Sequence, residues 1–404
     1  VAVKIVRHSS KIAVLGAPTS AASMSAGNEG APAALRAAGL IERLRSAGYE
    51  VVDYGDDPPQ VFHPDTESPR ARNIPAVLKA IEVLKPRVEQ AVKSGALPLI
   101  LSGDCSVALA TVAGARRYFR HISMIYMDAD ADLNTPATTP SGCLDGMVVS
   151  HLTGRGAPEL VRFWSEPFLL REPDLALFGG TRFDPPEEKV LSNSPLRRFP
   201  VADVKRHGAA ASAKTALERI RGNGNEFILH LDVDVISDFA ATNYPSSDGL
   251  SLAEVREALL VFVQQKNLAA IEITGYNPAK DSGGSGAKII IDSLAEVLQA
   301  RLETLKIAES AAAASGAPAP SVAPAQKAAA AAPTISGPDP KSAAEPIAGG
   351  LPEPVSGEGW SSDSLDSGVE TENVSELDPD PSRHSVEDPE DGDPETEEPG
   401  SSHS

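Results

Sequence analysis

From Lys11 to Ile307 the chain alternates short apolar runs with longer stretches in which apolar residues recur at helical spacing. Leu97–Ser102, Ile122–Met127, Leu175–Phe178, Phe227–Val235 and Ala269–Ile273 are almost continuously apolar, as strands buried on both faces are. Lys11–Gly16 and Glu50–Tyr54 read as two further strands. Helical spacing covers Pro32–Ala47, Ile74–Lys93, Val107–Tyr118, Thr215–Arg221, Leu252–Gln265 and Ile289–Ile307. A bend is expected at Pro86, which removes a backbone donor from the second of these helices. This alternation predicts an α/β fold: one mostly parallel sheet covered by helices on both sides. In such folds ligands bind beyond the carboxyl ends of the strands.

The pattern stops near Ala308. The segment 309–404 holds 14 of the 34 prolines, with 20 acidic and 3 basic residues against 36 and 33 in residues 1–308. A segment so poor in apolar residues cannot offset an ordering cost of roughly 1–2 kcal/mol per residue, so it is expected to be disordered. It would serve either as a solubilising tail or as a regulated docking segment built on Ser361, Ser362 and Ser364 among acids. Residues 1–308 are then one nearly neutral domain, and the net charge of −20 belongs mostly to the tail. No basic cluster suggests nucleic-acid binding, and no apolar run approaches the ~20 residues needed to span a bilayer. Val1–Ser10 has no apolar leader core, so a secretory signal is expected to be absent or removed. Two cysteines make no disulfide framework, and the default compartment is the reducing cytoplasm.

Three of the expected strands end in unusual residues. Leu97–Ser102 runs into Gly103-Asp104-Cys105-Ser106, Ile122–Met127 into Asp128-Ala129-Asp130-Ala131-Asp132, and the Phe227 strand into Asp232-Val233-Asp234. Alternation along a strand would put Asp128, Asp130 and Asp132 on one face, and Asp232 with Asp234 on another. Each unpaired buried ion costs several kcal/mol, and neither run contains Lys or Arg. One or two divalent cations resolve this, and a set of carboxylates suits Mn²⁺, Mg²⁺ or Ca²⁺ better than Zn²⁺.

These segments, taken in order with TTPSGCLDGM at 138–147, the Asp184-Pro185 turn and ITGYNPAKD at 273–281, resemble the ureohydrolase superfamily of arginases, agmatinases and formiminoglutamases. The resemblance spans roughly residues 11–307 and implies a three-layer α/β/α sandwich with a binuclear Mn²⁺ centre. It further implies hydroxide attack on a guanidino or amidino carbon, and a homo-oligomer, trimer or hexamer. Position by position, Asp128, Asp132, Asp232 and Asp234 match metal-binding aspartates, Asn134 and Ser141 match residues holding the far end of the substrate, and Asp184 matches a substrate-side acid. Cys105 and Asp130 stand where the family carries histidine ligands, and both are competent donors. Asp145 stands near the position at which the family carries a catalytic or substrate-binding histidine, and Asp130 and Asp145 are the catalytic candidates. Gly275 stands where a glutamate grips the guanidinium; Glu272, three residues away, is expected on the other face.

Two functions stay open at this level: a metal-dependent hydrolase of a linear C–N bond, and an arginase-fold pseudoenzyme kept for scaffolding or regulatory binding. His230 shares a face with Asp232, either as a core histidine hydrogen-bonded beneath the site or as a replacement ligand. His151 reads as structural, Cys143 as a pocket wall, and Ser282–Gly286 as a loop. If the tail composition is read correctly, truncation at Ser310 leaves the thermal midpoint and oligomer size unchanged. A collapsed melt or a large loss of solubility in that truncated chain would contradict it.

Overall fold

The computed structural model describes residues 5–220 and 226–314; the rest of the expected tail lies outside the described residues. In chain order the elements are β1 (Lys11–Ala17), α1 (Ala31–Ala37), α2 (Leu40–Ser46), β2 (Glu50–Asp56), α3 (Ile74–Lys93), β3 (Leu97–Ser102), α4 (Val107–Arg116) and β4 (Ile122–Met127). There follow α5 (Val148–Leu152), α6 (Pro158–Arg162), β5 (Leu175–Phe178), α7 (Pro185–Asn193), β6 (Arg197–Phe199), α8 (Val201–His207) and α9 (Ala209–Ile220). The last four are β7 (Glu226–Asp232), α10 (Leu252–Val263), β8 (Leu268–Thr274) and α11 (Ser285–Ala314).

The strands form one parallel sheet in the order β2-β1-β3-β8-β7-β4-β5-β6. Alternate side chains feed two separate cores. Ile12 and Val14 of β1, Ile125 and Met127 of β4, and Phe227, Leu229 and Leu231 of β7 enter the core shared with α1, α2 and α8–α11. Ala13 and Leu15, Met124 and Tyr126, and Ile228 enter the opposite core with α3–α6. The architecture is the expected three-layer α/β/α sandwich. The carboxyl ends of β3, β8, β7, β4 and β5 are consecutive along the sheet, so the loops after them share one end of the molecule.

Several local expectations change. The helix expected over Pro32–Ala47 is two helices, because Gly39 adopts φ +91° and breaks the turn. α3 stays one helix through Pro86. β7 stops at Asp232, whose carboxylate accepts the Asp234 N–H and turns Val233–Val235 into a 3₁₀ turn. Ser285 and Gly286, expected in a loop, open α11, with Asp281 accepting from the Gly286 and Ala287 N–H groups at 3.1 and 2.9 Å. The short β6, α7 and α8 carried no periodic signal long enough to read. α11 continues to Ala314, six residues beyond the expected domain boundary.

Gly103 lets the β3–α4 turn press against its neighbours. A Cβ there would lie 2.2 Å from the Thr19 carbonyl oxygen and 2.4 Å from that of Asn28. The Gly103 carbonyl in turn accepts from Gly275 N–H at 2.9 Å and Asn28 Nδ2 at 3.0 Å, linking the β3 and β8 loops. Gly103→Ala is expected to cost about 1–3 kcal/mol of stability, as overpacking does. Urea unfolding checks this, and an unchanged midpoint would show that the turn has room to relax.

Candidate metal centre

Four of the predicted ligands converge. Cys105 Sγ lies 3.1 Å from Asp232 Oδ2 and 3.9 Å from Asp128 Oδ2, and all three residues are buried. Ligand atoms of Asp128, Asp232 and Asp234 lie within 4.8 Å of one another, as do those of Cys105, Asp128 and His230. The residues are delivered by the loops after β3, β4 and β7, three strands of the contiguous block. Backbone donors fix the carboxylates: Asp130 N–H to Asp128 at 2.8 Å, Asp234 N–H to Asp232 at 2.8 Å, and Ala129 N–H to Asp234 at 3.3 Å.

Asp130 and Asp132 do not lie as strand alternation predicts, because β4 ends at Met127 and the acids belong to a loop. Asp132 takes φ +50° and accepts the hydroxyl of Tyr126. Asp130 turns towards Arg182, whose Nε and Nη2 donate to its two oxygens at 2.8 and 2.6 Å. Arg182 Nη2 also donates to Asp234, and Nη1 to the Tyr244 carbonyl at 3.0 Å. The cation that neither acidic run contains therefore comes from the β5–α7 loop, some fifty residues away.

The centre is strained electrostatically. Burial first, then the charges of Asp234, Asp132 and Asp232, hold the Asp128 carboxyl well above the ordinary range. Burial and Asp130 raise Asp132, and burial and Asp232 raise Asp234 although Arg182 opposes the shift. Burial and Asp232 push the Cys105 thiol well up, so it stays protonated without a cation to stabilise its thiolate. For Arg182, burial lowers the pKa, but the bonds to Asp130 and the charge of Asp234 outweigh it and leave the guanidinium raised.

Beneath the acids runs a buried polar row. Tyr126, His230 and Glu272 are register neighbours across β4, β7 and β8. The Tyr126 and His230 rings stack with centroids 4.2 Å apart, and His230 Nδ1 lies 2.7 Å from Glu272 Oε2. Nε2 of His230 lies 3.3 Å from the Thr274 hydroxyl, which is itself 3.3 Å from Cys105 Sγ. His230 is thus a hydrogen-bonded histidine under the site that also lies within reach of the Cys105–Asp128 group. Tyr126, Glu272 and Thr274 sit in strands that read only as apolar runs. Tyr126 lies two residues before Asp128, as His230 does before Asp232 and Glu272 before Thr274, a period-two signal whose meaning is invisible until strand order is known.

The remaining candidates lie between β4 and α5 and between β5 and α7. Asn134 Nδ2 donates to Asp184 at 2.7 Å, and Asp184 caps α7 in a reciprocal capping box with Glu187. The Ser141 hydroxyl accepts from Cys143 N–H at 3.2 Å and neighbours Thr139. Asp145 is not free at the mouth. It is half-buried, accepts the Cys105 N–H at 2.8 Å and the Ser23 hydroxyl at 3.3 Å, and so braces the Cys105 turn. Gly275 opens no space either: at φ +79°, a Cβ would lie 2.1 Å from Asp232 Oδ1.

These features match those of known proteins. The Arginase family model matches residues 10–299. The arginase of Bacillus caldovelox is 29% identical over 285 residues, covering 69% of this chain and 95% of the relative. The arginase of Neurospora crassa is 33% identical over 268 residues, covering 62% and 74% respectively. A solved structure of the Bacillus caldovelox arginase superposes with a TM-score of 0.66 at 27% identity, over 72% of this chain and 98% of that one. With the sheet order, the acidic strand ends and a family match across almost the whole sandwich in agreement, this chain belongs to the arginase family.

Proposed function

We propose that the protein is a metal-dependent hydrolase that cleaves a linear, non-peptide C–N bond in a guanidino or amidino compound. The observation that carries this reading is the convergence of Cys105, Asp128 and Asp232, buried at three strand ends, with His230 within reach of Cys105 and Asp128. Stacked carboxylates with raised proton affinity are the electrostatic form of a cation site. Cys105, Asp128 and Asp232 would hold the ion, with Asp132 and Asp234 adjacent, and the predominance of carboxylates supports Mn²⁺. When bound, such an ion polarises the scissile group and makes water a competent nucleophile near neutral pH.

The chain's own residues do the rest. Asp145 fixes the Cys105 turn through its backbone, and Tyr126 holds Asp132. The Asn134–Asp184 pair and Ser141 would offer amide, carboxylate and hydroxyl groups to the polar end of a small substrate. The relatives named arginase favour a guanidino substrate, but Gly275 lacks the carboxylate grip that the family resemblance puts at that position. Charge-assisted bonds of that kind contribute about 1.5–3 kcal/mol each. Arginine itself is therefore a poor substrate in this reading. A homo-oligomer and a cytoplasmic location belong to the same proposal by resemblance. Among the described residues no helix is long and apolar enough to cross a membrane. The pseudoenzyme reading gains from the Arg182 ion pairs, and it prevails if the Cys105 side also binds no ion.

Urea release from arginine, agmatine and guanidinobutyrate with Mn²⁺ tests the proposal. Activity is expected on at least one guanidino compound, with arginine weak. Asp128→Asn and Asp232→Asn should each abolish tight Mn²⁺ binding and all turnover, and Cys105→Ser should weaken binding less. Rapid arginine turnover, or aspartate variants that keep full activity, would overturn the assignment.

The raised carboxyls give a pH signature. An unfolded aspartate titrates near 3.9, whereas Asp128, Asp132 and Asp234 keep their protons higher in the folded, metal-free chain. Their stabilising contribution is complete below the unfolded value and is lost as pH rises through the folded ones. The metal-free thermal midpoint should therefore fall between pH 5 and pH 8, and Mn²⁺ should raise it more at pH 8. A cation effect that is larger at pH 5 would refute this electrostatic account.

A further inference from the structure

The acidic centre has two sides, and they differ in what already satisfies them. On one side, both Asp130 oxygens accept from Arg182, Asp234 Oδ2 accepts from the same guanidinium, and Asp234 Oδ1 accepts from Ala129 N–H. All four carboxylate oxygens have a donor. On the other side, Asp128 Oδ1 and Asp232 Oδ1 take backbone N–H groups, and among the described residues Asp128 Oδ2 and Asp232 Oδ2 accept only from the Cys105 thiol and the Thr274 hydroxyl. A thiol proton leaves when a cation binds; a guanidinium charge does not.

Arg182 is built into this place by the backbone as well as by its charge. Thr181 and Arg182 N–H both donate to the Ala129 carbonyl, at 2.8 and 2.9 Å, and Asp130 and Arg182 form a parallel bridge beyond the ends of β4 and β5. The fork meets Asp130 two bonds to two oxygens, the geometry at which arginine binds carboxylate most strongly. A dication ligated by Asp234 would stand directly against this fixed positive charge. The second cation position implied by the family resemblance therefore does not fit the residues present.

We infer that Arg182 is the resident cation of the Asp130–Asp234 side, so that the chain takes one divalent ion, at Cys105, Asp128 and Asp232, in place of two. This rests on the metal-dependent reading above and specifies its stoichiometry. It also gives Asp130 a role other than metal ligand: it positions the guanidinium. Arg182 is a positioning residue that replaces the charge of an ion.

The test counts metal. The full chain is saturated with Mn²⁺, freed of excess by gel filtration, and assayed for Mn per chain by plasma mass spectrometry and for paired ions by electron paramagnetic resonance. The parent should hold one ion per chain with an uncoupled spectrum, and Arg182→Lys should match it. Arg182→Ala leaves three carboxylate oxygens open and should hold two ions with an exchange-coupled spectrum. Two ions in the parent overturn the inference and leave the metal-dependent reading intact. One ion in both the parent and Arg182→Ala also overturns it. No ion in any variant defeats the inference and the metal-dependent reading together. If Arg182→Ala does not fold, the parent and Arg182→Lys counts still decide, since two ions in either contradict a resident cation.

Discussion

The structure depends on the repulsion among carboxylates gathered at the carboxyl ends of β4 and β7. Asp128, Asp132, Asp232 and Asp234 are all buried, in a setting where each uncompensated charge costs several kcal/mol. The sandwich cannot distribute them elsewhere, because adjacent parallel strands end at the same level and the loops that leave them must share one rim. Much of the surrounding architecture is a response to that charge. Backbone N–H groups of Ala129, Asp130 and Asp234 point into the carboxylates, and a tyrosine hydroxyl meets Asp132. A guanidinium covers the outer side.

The supporting row beneath the acids follows from the same constraint. A carboxylate cluster can be held in place only if the strands carrying it keep their register. In this chain the register is marked by polar residues that recognise one another. Tyr126 stacks on His230, His230 bonds Glu272, and Thr274 joins His230 to Cys105. A one-residue slip between β4 and β7 would put these groups among aliphatic side chains without partners. Buried polar contacts of this kind favour one arrangement over its neighbours. Asp104, bonded to Thr19, Ala22 and Ser106, gives the β3 turn the same definition from the other side.

Arg182 and Gly275 sit at the rim of the centre. The superposition on a relative extends over nearly all of that relative. The outer side of the centre is closed by an arginine, and Asp232 presses on a glycine where a side chain would collide. Both positions lie where loops after parallel strands meet. Such positions tolerate chemical change because they contribute little to the two cores on which the sheet depends.

The sequence by itself determined the layers and the strand ends at which acids gather. β3, β4 and β5 have the bounds read from their apolar runs, because a strand buried on both faces stays mostly apolar until it leaves the core. The acids at those ends were legible for the same reason: charge directly after a buried run marks the rim. What the sequence could not supply was direction beyond the last ladder bond. Alternation fails once the backbone leaves the sheet, so it placed Asp130 beside Asp128 when the loop turns it towards Arg182. It also took the lack of Lys or Arg within the acidic runs as a lack of positive charge. Only the tertiary structure decided that the β5 loop pairs with the β4 loop, that β7 lies between β8 and β4, and that a tyrosine, a histidine and a glutamate from three distant segments fall on one row. Strand order is fixed by how whole faces pack together, and no local stretch of sequence encodes that.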